Sequence, residues 1–248
     1  MAGPDIQGPQ TIPVSPAAVA GFWTGLLACL LLMIDGPLYR AHIVSLSVAL
    51  RVVIPMVLVL GVIALLLSLF GAVRPGSKAI PLAGVFFGLI AAGLPLKNIN
   101  TALHSPIHDV STDTANPPQF SAVLPLRTAA KATNSTDYDA RTAQQQKETY
   151  PDIGPQHLDV PPPQAYDKAL AAARDMGWEI VLSDPSQGRI EATATTFWFG
   201  FKDDIVVRLT AEGSGTRVDV RSVSRIGRSD VGANARRVRT YLEKLKAA

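Results

Sequence analysis

Three apolar stretches free of charge, then a C-terminal segment in which helical spacing brackets strand-like alternation, predict an α+β membrane protein. Three transmembrane α-helices are expected to precede a two-layer domain. That domain is a four-stranded antiparallel sheet with helices on one face, in the order α-β-β-β-β-α. The expected division is a tail at 1–16, a membrane domain at 17–96, a Pro/Thr/Ser-rich linker at 97–160 and a soluble domain at 161–248.

The expected spans are 17–34, 52–73 and 79–96, and none contains Lys, Arg, Asp or Glu, so each can lie in hydrocarbon without burying a charge. At about 1.5 Å per residue they reach roughly 27 to 33 Å, the thickness of a bilayer core. A cleaved signal peptide is the weaker reading of the first span. No Lys or Arg precedes it, and Leu32-Met33-Ile34-Asp35 lacks a small-residue cleavage pattern. The charged turn Arg74-Pro75-Gly76-Ser77-Lys78 makes the second and third spans a hairpin. Gly21-x-x-x-Gly25 and Gly84-x-x-x-Gly88 allow close helix approach, in the first place within the chain. With nothing ionisable in mid-span, transport chemistry inside the bilayer is disfavoured.

Arg40, Arg51 and Lys97 on one side, against Arg74 and Lys78 on the other, lean toward a cytoplasmic C-terminal domain. The 48% hydrophobic and 17% charged residues, the former concentrated toward the N-terminus, leave room for one compact domain after the last span. Cys29, the one cysteine, lies inside the first span, which rules out an intramolecular disulfide and a thiolate metal site.

In the linker, Pro117-Pro118, Pro151, Pro155 and Pro161-Pro162-Pro163 interrupt any long element, leaving a short helix over 139–149 and extended or partly disordered chain elsewhere. Tyr166, Ala169, Leu170, Ala173 and Met176 then recur at helical spacing, with Gly177 placed for a left-handed cap, so 163–176 reads as an amphipathic helix. Trp178, Ile180 and Leu182 alternate with Glu179 and Val181. The turn 184–188 and Ile190, Ala192 and Ala194 complete a hairpin. Ile205, Val207 and Leu209, the loop 212–215, and Val218, Val220 and Ser222 make a second. A final helix from about Val231 sets Val231, Ala235, Val238, Leu242 and Leu245 on one face, with Ser229 or Asp230 as its N-cap.

The run Phe199-Gly200-Phe201-Lys202-Asp203-Asp204 and the stretch from Arg221 to Arg237 resemble the signature of the family catalogued as domain of unknown function 1499. The resemblance covers roughly Asp109 to Leu245 and takes in Ile107 to Asp113 and Tyr150 to Ile153. It implies no established activity. Family members that look exported imply a periplasmic domain on an inner-membrane anchor, against the charge count.

The same signature holds the candidate site: Asp203 and Asp204 before a strand, and Arg221, Ser224, Arg225, Arg228, Asp230 and Asn234 running from another strand into the last helix. With a helix N-terminus alongside, this set suits an anionic small molecule or lipid headgroup. The competing reading pairs Asp203 or Asp204 with Arg221 or Arg225 and leaves Asp230 as a cap. Consecutive strand residues face opposite ways, so Asp203 and Asp204 are poorly placed for shared acid–base catalysis, and no catalytic residue is assigned. His104, His108, Asp109 and Asp113 have only a weak metal-ligand spacing. Gly213-Ser214-Gly215 lies in a hairpin turn, and no nucleotide-cofactor motif is present.

Phe197, Trp198, Phe199 and Phe201 read as core for at least two of the four, or else as a loop reaching the bilayer interface. From Arg217 onward the chain is basic, which favours lipid or an envelope protein as partner. Nucleic acid would require the cytoplasmic orientation and a reading motif that is missing. The expected function is therefore a non-enzymatic binding or structural module of the bacterial cell envelope. The alternatives are a membrane-bound enzyme using Asp203 or Asp204, and a cytoplasmic partner-binding domain.

Overall fold

A computed structural model describes residues 13–247, so most of the expected tail, 1–12, lies outside the described residues. The chain forms two compact units that divide between Ile99 and Asn100.

The first unit is helical: α1 (Pro16–Arg40), the single turn α2 (Leu46–Val48), a π-helical turn (Ala49–Val53), α3 (Ile54–Ala72) and most of α4 (Ala79–His104). The helical runs Pro16–Arg40, Leu46–Ala72 and Ala79–His104 are long and apolar enough to cross a membrane. Small residues bring the helices together. A Cβ added at Gly71 would stand 2.7 Å from the Ala18 amide nitrogen, and one at Gly84 would stand 3.0 Å from the backbone of Phe22. Ala28, Cys29, Val57 and Ala91 form the buried centre between them. Because α1 continues past Ile34, it carries Asp35, which is buried with no hydrogen-bond partner among the described residues.

The second unit contains β1 (Asp109–Ser111), α5 (Leu124–Ala129), α6 (Ala140–Thr149), β2 (Gln156–Leu158), α7 (Pro162–Asp175), β3 (Glu179–Asp184), β4 (Arg189–Thr195), β5 (Lys202–Glu212), β6 (Gly215–Ser224) and α8 (Ala233–Ala247). It is an α+β fold with one antiparallel sheet of six strands where the sequence predicts four. The sheet runs β1-β6-β5-β4-β3, and β2 also pairs with β6. The two extra strands come from the expected linker. β1 pairs with 221–223 and β2 with 216–218, so they lie end to end along one edge of β6. The prolines there forbid long elements but leave three-residue strands possible, and an open β6 edge offers unpaired N–H and C=O groups for them to close.

Alternation divides the sheet into two unlike faces. Ile190, Ala192, Ile205, Val207, Leu209, Val218 and Val220 point toward α7 and α8, meeting Ala165, Tyr166, Ala169, Ala235, Val238, Tyr241 and Leu245 in one core. Trp178 stacks on Tyr241 with ring centroids 4.8 Å apart. Pro162 and Pro163 start α7 where their missing N–H groups cost nothing, and Gly177, at φ +68°, turns the chain out of it.

Helices on one face only are expected, yet the other face is also covered. Residues 112–135, with α5 among them, lie across it as a strap, and Phe120 and Val123 pack on Val206 and Val223. Asp139 accepts the Thr142 N–H at 2.7 Å to begin α6. From α6, the buried Gln146 amide binds both the N–H and the C=O of Ser111 and holds the outer side of β1. None of the four clustered aromatics reaches the core. Phe197 to Phe201 occupy the β4–β5 loop, where Phe199 stacks on Phe201 and Phe197 stands in solvent, because Trp178 and Tyr241 already fill that end of the core.

Gly71→Leu is expected to force α1 away from α3 and to cost about 1–3 kcal/mol by overpacking. A lowered thermal midpoint of the full-length protein in detergent checks it, with Gly93→Ala as an open-space control that shifts little.

Candidate functional site

The register sets Asp203 opposite Ser224 and Asp204 opposite Val223, so the two neighbouring acids serve different faces. The eight candidate residues consequently do not form one site. Asp204, Arg221 and Arg225 lie under the strap. Asp203, Ser224 and Asn234 lie on the α8 side, and Arg228 and Asp230 belong to the loop before α8.

Asp204 is fully buried and accepts four hydrogen bonds. Arg225 Nε and Nη2 reach it at 2.9 and 2.7 Å, Arg127 Nη1 at 2.8 Å and Thr193 Oγ1 at 2.8 Å. Arg221, also fully buried, grips Asp109 through Nε at 3.0 Å and Nη2 at 2.7 Å. Its remaining donors reach the carbonyls of Pro118 and Thr136, and its guanidinium lies 5.0 Å from the Phe120 ring and 5.3 Å from that of Tyr138. Burial pushes the Asp109 carboxyl above the ordinary carboxylate range, and the bonds from Arg221 work against that shift.

On the α8 side, Arg237 donates to Asp203 at 2.5 Å and to Ser222 at 3.0 Å, and also reaches Asn234 Oδ1. Asn234 donates to Ser224 Oγ and to the His108 carbonyl. Asp230 accepts the N–H groups of Gly232 and Asn234, both at 2.7 Å, so it serves the start of α8. Burial raises its carboxyl too, opposed by those two N–H groups. Asp109 and Asp113 are taken up by guanidiniums, and His104 and His108 face the carbonyls of Asn100 and Arg228, so the four potential ligands do not converge.

The partners that the sequence reading misses come mostly from the supposed linker: Asp109, Asp113, Ser121 and Arg127. Ser121 and Val123 satisfy the buried Glu191, and Asp113 joins Arg208, Arg217 and Asp219. One signal was present. Glu191, Thr193, Asp204, Asp219 and Arg221 occupy strand positions that alternate with the core residues, and Arg225 continues that alternation just past β6, so a wholly apolar cover on that face was never possible.

Open clefts among the described residues include two beside helices of the second unit. One, of about 390 Å³, lies beside α6 and is lined by Thr114, Pro117, Tyr138, Asp139, Gln144 and Lys147. The other, of about 310 Å³, lies between the first turns of α8 and the ends of α7 and β4, with Gly177, Trp178, Thr195, Arg236, Arg237 and Thr240 around it. Arg237 is committed to Asp203. Arg236 is exposed, and its guanidinium donates to the Val231 carbonyl at 2.9 Å.

The family described as "Protein of unknown function (DUF1499)" matches residues 109–245, which include the strap as well as the sheet and both covering helices. No curated protein matches the chain.

Arg225→Ala is expected to destabilise the second unit by about 3–5 kcal/mol, because it strips Asp204 of its bidentate partner in a dry setting. Arg228→Ala, at an exposed side chain, is expected to stay within about 0.5 kcal/mol. Urea unfolding followed by Trp178 fluorescence in a Trp23→Phe/Trp198→Phe background measures both.

Proposed function

Since this chain belongs to the DUF1499 family, we propose that its matched domain is a non-enzymatic binding module of a bacterial cell envelope, held at the inner membrane by three helices and taking an anionic group. The observation that carries the proposal is the contrast between Arg236 and other arginines of the same stretch of chain. Arg225 and Arg237 are saturated by Asp204 and Asp203, whereas Arg236 stands at an open cleft with the Thr195 and Thr240 hydroxyls and the Trp178 ring. A phosphate or carboxylate fits the guanidinium and hydroxyls, and an attached apolar group fits against Met176 and Trp178.

An enzyme using Asp203 or Asp204 finds little support. A general acid or base needs access to substrate, and both carboxylates are buried against arginine. The periplasmic side is part of the proposal. Its basis is the exported character that the family resemblance implies, and the opposing tally of Arg40, Arg51 and Lys97 makes orientation an experimental question.

Titrating full-length protein in detergent with glycerol phosphate, followed by ³¹P NMR, is expected to give saturable binding, weakened about tenfold by Arg236→Ala. Binding indifferent to that substitution, or none at all, rejects the cleft. For orientation, a reporter fused after Ala248 is expected to work when it is one active only in the periplasm and to fail when it is one active only in the cytoplasm.

A further inference from the structure

We propose that the β4–β5 loop is an interfacial membrane anchor: Phe197 and Trp198 seat in the headgroup region of the bilayer, inside a rim of Lys131, Lys202 and Arg228. This goes beyond the anion-binding reading and does not rest on it, since neither Arg236 nor the cleft enters the argument.

Among residues 105–247, the exposed large apolar side chains are Leu124, Leu126, Phe197 and Trp198, and only the last two are consecutive aromatics, at 84% and 37% exposure. Their exposure is built into the loop. Thr196 N–H donates to the Phe201 carbonyl at 2.8 Å, Gly200 N–H to the Thr196 carbonyl at 3.0 Å, and Phe201 N–H to Thr196 Oγ1 at 2.9 Å. Gly200, at φ +67°, closes this turn, and the Phe199–Phe201 stack beneath it keeps the next two rings out.

Register decides which end of the sheet carries the loop. β1 begins at Asp109 opposite Val223, next to the Asp203–Ser224 pair, and Thr195 pairs with Lys202 just before the loop. Ser224 N–H reaches the His108 carbonyl, Arg225 N–H the Lys202 carbonyl and Asp230 N–H the Ile107 carbonyl. The chain arriving from α4, the β4–β5 loop and the β6–α8 loop therefore share one end. At the opposite end, the β3–β4 and β5–β6 turns show solvent Ser186, Gln187, Gly213 and Ser214.

Charge at the arriving end favours an anionic surface. Asp203, Asp204 and Asp230 are all internally satisfied there, whereas Lys202 and Arg228 are exposed, against the exposed acids Glu179 at the start of β3 and Asp137. Lys131, also exposed, precedes Thr133, whose N–H bonds to the Arg225 carbonyl. Only residues 105–108 separate this end from α4, one of the helices long and apolar enough to cross a membrane, a reach of at most about 14 Å. The polar end of α4 from Lys97 to His104 adds about 12 Å to that reach, so the tether holds this end within about 26 Å of the expected span. Trp and Phe beside Lys and Arg are the residues such an interface accepts.

The test uses full-length protein with Cys29→Ser in nanodiscs containing phosphatidylglycerol. A nitrobenzoxadiazole label is placed at Phe197→Cys, or at Ser214→Cys as the opposite-end control. The label at 197 is expected to emit at shorter wavelength than that at 214, and to be quenched about threefold more by a headgroup-level nitroxide lipid, as an interfacial aromatic position requires. Equal quenching at the two positions overturns the proposal. So does a blue shift at 197 without lipid quenching, which would mean that protein covers the loop. Adding Lys202→Glu and Arg228→Glu is expected to reduce quenching at 197, and unchanged quenching overturns the part assigned to the basic rim.

Discussion

A sheet face carrying Glu191, Asp204, Asp219, Arg221 and Arg225 can be buried only if each charge meets a partner as it leaves water, and this requirement organises the domain. Strand β1 and the strap meet it point by point. Asp109 answers Arg221, Arg127 joins Arg225 on Asp204, the N–H groups of Ser121 and Val123 answer Glu191, and Asp113 draws Arg208 and Arg217 around Asp219. A segment too rich in proline for long elements is thereby ordered by polar bonds, with Phe120 and Val123 among its buried apolar anchors.

Such a network specifies structure more than it adds stability. Desolvating each ion offsets most of its attraction, but a wrong register is heavily penalised. A one-residue slip of β5 would carry Asp203 under the strap and Asp204 beneath α8, leaving Arg225 and Arg237 facing the wrong groups. Val231, a β-branched residue at φ +53°, fits the same pattern of over-determined geometry. Asp230 on one side and Asn234 on the other are held to the chain at Ile107 and His108, so the strained residue has nowhere to relax.

The consequence for function is a division of labour among arginines. Arg127, Arg221, Arg225 and Arg237 close the fold, so the densest charge in the sequence is the least available to a ligand. Toward one end, solvent meets the aromatic loop with Lys131, Lys202 and Arg228, and beside them the cleft at the first turns of α8. The end from which the chain arrives is apolar and basic, and the far end is polar. That asymmetry follows from strand order and register, since the three strand reversals from β3 to β6 put the β4–β5 loop at one end and the β3–β4 and β5–β6 turns at the other.

By itself the sequence determined whatever depends on near neighbours. Charge-free length marks the three apolar helices. Period-two alternation marks β3 to β6, and Gly177 and Asp139 mark helix ends, because backbone conformation and one-sided burial leave their trace within a few residues. The separation of Asp203 from Asp204 was legible for the same reason. Tertiary structure alone decided that 105–160 supplies two edge strands and a cover to the sheet, that Asp109 meets Arg221 across 112 positions, and that Phe197 and Trp198 stand outside the core. Those outcomes turn on which distant group reaches a buried charge first and on how much core volume Trp178 and Tyr241 already occupy, and neither quantity is written in any local window of the chain.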